Sequence, residues 1–273
     1  MQCVEMNIQI VLSTYNGERY LKELLDSILA QTYQKWNLLI RDDGSSDGTL
    51  DIVSEYIAKD NRISLLESTN NVGVISSFEM LLNSTTAPYV MFCDQDDVWL
   101  PTKIELLASV MDEEERKFPS KPILVHSDLL VVDAELNVIC DSFWKYSNID
   151  ISQRDFNFLG VKNFVTGCAM MINRAAVDCS LPFERETRMH DAWIALKVLK
   201  FGGSIHSVKQ PTIMYRQHDH NVVGAIYQGN IFKEKIMKLQ TVIHENMMQW
   251  KMLKKIGYGS LIKYLYYKIR TVF

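Results

Sequence analysis

The sequence predicts an α/β protein built on a mainly parallel sheet with helices on both faces, and three observations predict it. Short apolar runs alternate with helical periodicity through the N-terminal third. Polar clusters follow those runs at the edge where such sheets bind ligands, outside the carboxyl ends of the strands. The chain has 273 residues, 47% of them hydrophobic, which is enough apolar material for a large packed domain.

Residues 8–12 read as the first strand, and Leu21, Leu24, Leu25, Ile28 and Leu29 then recur on one helical face. A second strand at 36–40 precedes a helix carrying Leu50, Val53, Tyr56 and Ile57. A third strand at 63–66 is followed by a helix near 76–82. The run Tyr89-Val90-Met91-Phe92-Cys93 is a fourth strand, ending in Asp94-Gln95-Asp96-Asp97. Beyond Pro101 a helix is expected to about residue 116, broken by Lys117-Phe118-Pro119-Ser120-Lys121-Pro122. Residues 123–132 read as extended chain. The aromatic-rich stretch 141–162 shows no period and is expected as a loop-rich lid or wall. Apolar character resumes at 165–172, with a helix at 191–199 and a last strand at 212–215. Residues 226–273 are expected to form a basic helical tail behind a domain spanning 6–225.

Lys and Arg number 29 against 33 Asp and Glu, a net charge of −4, so no global positive field argues for nucleic acid and none is expected as a partner. The tail differs: residues 232–273 carry nine Lys or Arg against two Glu, a local net charge of +7, interleaved with aromatic and aliphatic residues. That mixture suits helices lying on an anionic membrane surface, with core helices bearing solvated basic faces as the alternative. Five cysteines, odd in number and without a C-x-x-C, point to neither a disulfide framework nor a zinc site and fit a reducing cytosol. No stretch nears the roughly 18 apolar residues of a bilayer crossing. The expected location is therefore cytoplasmic, with any membrane contact peripheral and at the inner face of the plasma membrane.

Three carboxylates where a buried strand ends repel one another unless a cation joins them. Hard cations such as Mg²⁺ or Mn²⁺ take oxygen ligands, often one or two carboxylates completed by water and substrate phosphate, so the tetrad suits a nucleoside diphosphate. A solvated acidic turn with Asp94 or Asp97 as a helix cap is the alternative. Asp43-Gly44-Ser45-Ser46-Asp47-Gly48 begins like an EF-hand loop but has Ser54 at position twelve and a strand before it. A strand-to-helix turn is expected instead, with Gly44 and Gly48 allowing positive φ and Asp47 capping the next helix. Asp43 can accept the imide N–H of uracil or thymine. The first turn, Ser13-Thr14-Tyr15-Asn16-Gly17-Glu18, lacks G-x-G-x-x-G, which sets aside a dinucleotide-binding enzyme. Tyr15 offers either a face for base stacking or a core-edge aromatic.

In order, Val11-Leu12-Ser13-Thr14-Tyr15-Asn16-Gly17, Gln31-Thr32, Asp42-Asp43-Gly44-Ser45-Ser46-Asp47-Gly48-Thr49, Asn71-Val72-Gly73 and Asp94-Gln95-Asp96-Asp97 with Pro101 resemble the family 2 glycosyltransferases of the GT-A fold. The similarity continues through Thr166-Gly167-Cys168, His190-Asp191-Ala192-Trp193 and Tyr215-Arg216-Gln217-His218, and this later set is similar to bacterial rhamnosyltransferases of polysaccharide assembly. The resemblance implies the GT-A nucleotide-diphospho-sugar transferase fold over residues 6–225, Rossmann-like with flanking helices. It implies metal-dependent, inverting transfer of a sugar onto a growing bacterial surface polysaccharide, with dTDP-rhamnose as donor and a UDP-hexose as the alternative. The acceptor it implies is a saccharide, lipid-linked in one reading.

The same resemblance places Ser13, Tyr15, Asp43, Gly73 and Asp94 at the nucleotide sugar. It makes Asp94 and Asp96 the D-x-D pair, with Asp96 the direct ligand of Mg or Mn, and matches Asp191 to the catalytic base. A helix N-cap is the other reading of Asp191. His190 stands where an acidic residue often precedes that base. Arg216 is expected to pair with phosphate oxygens through its planar fork, and His218 to contact metal or diphosphate. From outside the enzymes, a non-catalytic nucleotide-sugar or glycan-binding module is the rival reading, and Asp96 and Asp191 argue against it.

Overall fold

A computed structural model describes residues 6–67, 70–152, 155–218 and 239–271. Strands β1 (Ile8–Thr14), β2 (Trp36–Asp42), β3 (Ile63–Leu65) and β4 (Tyr89–Cys93) alternate with helices α1 (Leu21–Leu29), α2 (Thr49–Lys59) and α3 (Val74–Ser84). The strands are parallel in the order β3-β2-β1-β4. Crossover helices cover both faces of such a sheet, which is why β1 and β4 read as apolar runs rather than alternating patterns. In register, Thr14 faces Asp42 and Leu12 faces Cys93, so the Tyr15 turn, Asp43 and Asp94 leave the sheet along one edge. Leu21, Leu24, Leu25 and Ile28 of α1 are fully buried against this half, and each such side chain contributes about 1.5–3 kcal/mol.

The second half is mixed. It comprises β5 (Val98–Trp99), α4 (Lys103–Lys117), β6 (Ile123–Val132), β7 (Val138–Cys140), α5 (Phe143–Tyr146), α6 (Phe156–Val161), β8 (Met170–Asn173), α7 (Arg174–Ser180), α8 (His190–Lys200) and β9 (Ser204–Arg216). The sheet continues from β4 through β8, β6, β9 and β5, with β7 on the side of β6. Strand β8 runs antiparallel to both β4 and β6, while β9 runs parallel to β6. The parallel character of the mainly parallel sheet expected belongs to β1–β4 and the β6–β9 pair. The stretch 141–162 contains two short helices, capped by the side chains of Ser142 and Asp155, rather than loop alone. In the apolar stretch 165–172 a single 3₁₀ turn, Gly167–Ala169, precedes β8.

Two further helices, α9 (Leu239–Lys255) and α10 (Leu261–Arg270), fall in the expected tail. Leu253, Tyr258 and Tyr264 share a buried cluster with Leu159 and Val161 of α6 and Trp193 of α8. Gly160 makes this fit, since a Cβ there would lie 2.5 Å from the Tyr258 ring. The described part of 226–273 therefore shares a core with the preceding domain, and the expected boundary at 225–226 lies outside the described residues. Among the described residues no helix is long and apolar enough to cross a membrane.

Candidate active site

The first two strand-end turns are tied together by hydrogen bonds. Asn16 N–H donates to Ser45 Oγ (2.8 Å), Ser46 N–H to Asn16 Oδ1 (2.9 Å), and Gly17 N–H to Thr49 Oγ1 (2.8 Å). Asp42 accepts from Thr14, Gly44 and Ser45, and Asp47 from Glu18 and Thr49, so their oxygens are committed within the turn. This is the strand-to-helix turn expected in place of a calcium loop. Gly48 rather than Asp47 holds the N-cap position of α2, and Asp47 supports it from one residue earlier.

Tyr15 is half exposed at this edge, with Ser13 on β1 in register with Arg41. Gln95, the uncharged member of the tetrad, brackets the Tyr15 backbone: Tyr15 N–H donates to Gln95 Oε1 (2.9 Å), and Gln95 Nε2 donates to Tyr15 C=O (3.0 Å). A Cβ at Gly17 would collide with that amide, so a larger residue there would have to displace the Gln95 side chain from the bracket. Asp43 receives Arg41 Nη1 (2.7 Å), Val72 N–H (2.7 Å) and Gly73 N–H (2.9 Å). Burial pushes the Asp43 carboxyl up, but those three donors outweigh it and hold it below the usual carboxylate range. Two of the donors reach Oδ1 and one reaches Oδ2, so Oδ2 retains a lone pair for a further donor. Gly73 adopts φ +81° at the N-terminus of α3, a conformation that favours glycine.

The tetrad divides its labour. His218 Nε2 lies 2.8 Å from Asp96 Oδ2, and Arg216 Nε donates to the Asp96 carbonyl at 2.8 Å. The rest of the Arg216 fork reaches the Ala134 carbonyl and the Glu23 carboxylate, and its guanidinium stacks 4.4 Å above the Tyr20 ring. Arg216 is 1% exposed. Each of its three guanidinium nitrogens thus donates to a protein acceptor, one of them the Asp96 backbone, in place of the open fork expected for a phosphate contact. Asp97 is fully buried beside Cys168; its Oδ1 accepts Arg216 N–H at 3.2 Å, and its Oδ2 meets no nitrogen or oxygen donor among the described residues.

Asp94 lies half-buried beside Asp97 and Cys168, their ligand atoms within 4.8 Å of one another. Burial first, then the charges of Asp96 and Asp191, raise the Asp94 carboxyl to about 7. Burial also pushes the Cys168 thiol well up, so it is protonated and a poor partner for a hard cation. Among the described residues the converging metal-capable group is Asp94, Asp97 and Cys168, of which the two carboxylates are hard-cation ligands; Asp96, in contact with His218, is felt electrostatically at Asp94, and oxygen ligands of this kind suit Mg²⁺ or Mn²⁺.

Lys103 was not singled out by sequence reasoning. It is fully buried at the start of α4, donates to the Cys168 carbonyl (2.5 Å) and sits 3.4 Å over the Trp99 ring. Burial lowers its ammonium to about 8 while the fields of Cys168, Cys93, Asp97 and Asp94 oppose that shift. A lysine in a helix's first turn is disfavoured by the helix dipole, and that misfit is the signal available in sequence. Lys103→Met is expected to change stability by no more than about 2 kcal/mol, because losing the bond to Cys168 offsets relief of a buried charge. Mn²⁺ binding should tighten, because the substitution removes a positive charge that repels a cation at Asp94. Calorimetric titration with Mn²⁺ and a thermal melt check both parts.

Asp191 approaches from the other side. It lies in the first turn of α8, which begins at His190, so it is not the N-cap. Its Oδ2 accepts Gly167 N–H (3.1 Å), Oδ1 accepts Ala192 N–H (2.5 Å), and the Asn163 side chain adds a third donor. Burial dominates and pushes the carboxyl up to about 6. Its charge is felt at Asp94, which brings the expected base and the acidic strand end into one site. The neighbouring His190 stacks on Phe78 (4.1 Å between ring centroids), has no hydrogen bond at either ring nitrogen, and is held neutral by burial, its pKa down to about 3. His220 lies outside the described residues.

Comparison with known proteins gives the following likenesses. The profile of Glycosyl transferase family 2 matches residues 9–181. Over 104 residues, 38% of this chain, the sequence is 35% identical to Escherichia coli WfgD, a UDP-Glc:alpha-D-GlcNAc-diphosphoundecaprenol beta-1,3-glucosyltransferase. It is 29% identical over 161 residues, 57% of this chain, to E. coli WfaP, which bears the same activity name. Those matches cover 40% and 62% of the relatives' own lengths. Among solved structures, S. aureus TarS in complex with UDP-GlcNAc superposes with a TM-score of 0.60 at 21% identity, over 91% of this chain and 72% of that one. The mannosyltransferase PcManGT of Pyrobaculum calidifontis, in complex with GDP-Man and Mn2+, gives a TM-score of 0.59 at 17% identity, over 91% and 65%. At those identities the structural likenesses bear on the fold alone.

Proposed function

The chain belongs to glycosyl transferase family 2 and has the GT-A fold, and from that premise we propose that it transfers a sugar, with inversion, from a nucleoside diphosphate to a saccharide acceptor in bacterial polysaccharide assembly. The observation that carries this reading is the meeting of Asp94, Asp96 and His218 with the raised carboxyl of Asp191 across the Gly167–Ala169 turn.

In this reading Tyr15 stacks on the base, Asp43 Oδ2 accepts its imide N–H, and Ser13 and Gly73 complete the nucleotide side. Asp96, with Asp94 and His218, would hold a divalent cation, which when bound would neutralise the leaving diphosphate. The acceptor hydroxyl oxygen bonds to the anomeric carbon as the bond from that carbon to the diphosphate oxygen breaks. Asp191 takes the hydroxyl proton, and the Gly167 and Ala192 amides keep its carboxylate in place. The Asp191 carboxyl, at about 6, is largely protonated below that pH and is a base above it. Accordingly kcat/KM should fall about tenfold per pH unit on the acid side of roughly pH 6 and level off above it. A pH profile of transfer that stays flat from about pH 5 to about pH 8 counts against Asp191 as the base.

Two donors stand within this reading. The motif set around Tyr215-Arg216-Gln217-His218 favours dTDP-rhamnose; the names of WfgD and WfaP favour UDP-glucose and a diphosphoundecaprenol-linked acceptor. Uracil and thymine present the same imide donor, so Asp43 does not separate them. A thermal-shift panel of dTDP-rhamnose, UDP-glucose and GDP-mannose with Mn²⁺ does, because a ligand of the folded state raises its melting temperature. No shift with any nucleotide sugar would remove the transferase reading. With a lipid-linked acceptor, the basic segment 226–273 places the enzyme at the inner face of the plasma membrane.

A further inference from the structure

Helix α10 has two apolar faces, and only one of them is covered. Tyr264 points inward, 2% exposed, with its hydroxyl donating to Gln249 Oε1 at 3.0 Å, next to the buried Tyr258. Outward, Ile262, Leu265, Tyr266 and Ile269 recur at spacings of three and four and so form one stripe along the helix. Ile262 is 81% and Ile269 59% exposed. A helix whose only task was to cover a core would carry polar residues on that side.

Charge says what the stripe meets. Between Leu261 and Arg270 there are three cations, Lys263, Lys268 and Arg270, and no acidic residue. At about 100° per residue, Lys263 and Arg270 fall along one border of the stripe and Lys268 along the other. The Lys263 ammonium lies 5.4 Å over the Tyr258 ring, and the Arg270 guanidinium 5.1 Å over Phe158 and 5.7 Å over Tyr266. Neither forms an ion pair among the described residues. Lys268, on the other border, donates to the Val161 carbonyl (3.4 Å) and Gln249 Oε1 (3.2 Å), whereas an apolar band edged by Lys263 and Arg270, with no counter-ion among the described residues, matches a surface that is apolar within and anionic at its rim. Two copies of α10 packed face to face would set these cations against each other, which disfavours a second copy as the cover.

We propose that the Ile262, Leu265, Tyr266, Ile269 face of α10 docks on an anionic lipid bilayer, with the stripe entering the headgroup–acyl boundary and the bordering cations meeting lipid phosphates. This specifies the membrane contact of the reading above and rests on it for where the enzyme works, while its test is independent of donor chemistry. The buried face of the same helix stays in the core, so point changes on the outer face, rather than removal of the tail, isolate the contact.

The experiment is co-sedimentation of the full chain with phosphatidylcholine vesicles, with and without phosphatidylglycerol, at rising NaCl. The wild type should bind the phosphatidylglycerol vesicles and be released as salt screens the charges. Leu265→Glu/Ile269→Glu should lose at least about tenfold in vesicle partitioning with its melting temperature and Mn²⁺-dependent nucleotide binding unchanged. Lys263→Glu/Arg270→Glu should lose binding selectively to the anionic vesicles, and decides the matter should the first variant melt early. The proposal is overturned if the wild type ignores anionic vesicles, if both variants bind as it does, or if the wild type is a dimer that Leu265→Glu/Ile269→Glu turns into monomer. Loss of nucleotide binding with vesicle binding intact would instead strike the transferase reading.

Discussion

Asp191→Asn should abolish sugar transfer, lowering kcat by about 10²–10⁴-fold, while leaving donor affinity within about two-fold of the parent. The amide keeps the shape of the carboxylate and one oxygen for the Gly167 or Ala192 N–H, so the start of α8 is preserved. What it cannot do is accept the acceptor's proton. Loss of the Asp191 negative charge lowers the proton affinity of Asp94 and also removes some attraction for a cation there, which the calorimetry reads directly. Transfer measured with donor and saccharide acceptor, beside calorimetry of Mn²⁺ and nucleotide, tests both halves. Activity within a few-fold of the parent would remove Asp191 as the base.

Asp96→Ala carries the second large effect. The substitution should cut Mn²⁺-dependent nucleotide binding by about 100-fold or more, beyond the 10–100-fold typical when only a supporting residue of a metal site is lost. The fold should survive. Arg216 holds the backbone carbonyl of Asp96, not its carboxylate, so that tie persists in the alanine variant. The side chain is 18% exposed and contributes no core volume, which keeps the stability change within about 1 kcal/mol. Calorimetry with nucleotide and Mn²⁺, beside a melt, checks this; unchanged affinity in a folded variant would sink the metal assignment and leave the His218 contact as an ordinary ion pair.

The strand end that carries Asp94 and Asp96 was legible because local pattern suffices to place it, whereas Asp191 was matched to the base only by resemblance to the family. The apolar run of β4 ends at Asp94, and the spacing of Leu21, Leu24, Leu25 and Ile28 gives α1 its buried face, without knowledge of distant partners. The surroundings of Arg216 were not legible for the opposite reason: Glu23 and Ala134, which its fork reaches, stand far away in the chain. Lys103 likewise acquires meaning only when the 3₁₀ turn brings Cys168 onto it. Of β9 only 212–215 stood out, since Lys209, Gln210 and Pro211 interrupt the apolar pattern. The register with β6 shifts beside Asp128, where Pro211 pairs, and such an irregularity tolerates the missing N–H. For α10 periodicity announces an amphipathic helix but not which of two apolar faces turns inward.

The bracket between Gln95 and the Tyr15 backbone has a consequence for engineering. Because it joins the first turn to the acidic strand end, and Asn16 and Gly17 join that turn to Ser45 and Thr49, the three segments form one mechanical unit drawn from separate parts of the chain. Swapping the Tyr15 turn alone from a relative with another donor would import a backbone shaped for a different residue at position 95. Chimaeras that retune the nucleotide pocket should therefore carry all three segments as a set, with glycine retained at position 17 wherever glutamine stands at 95.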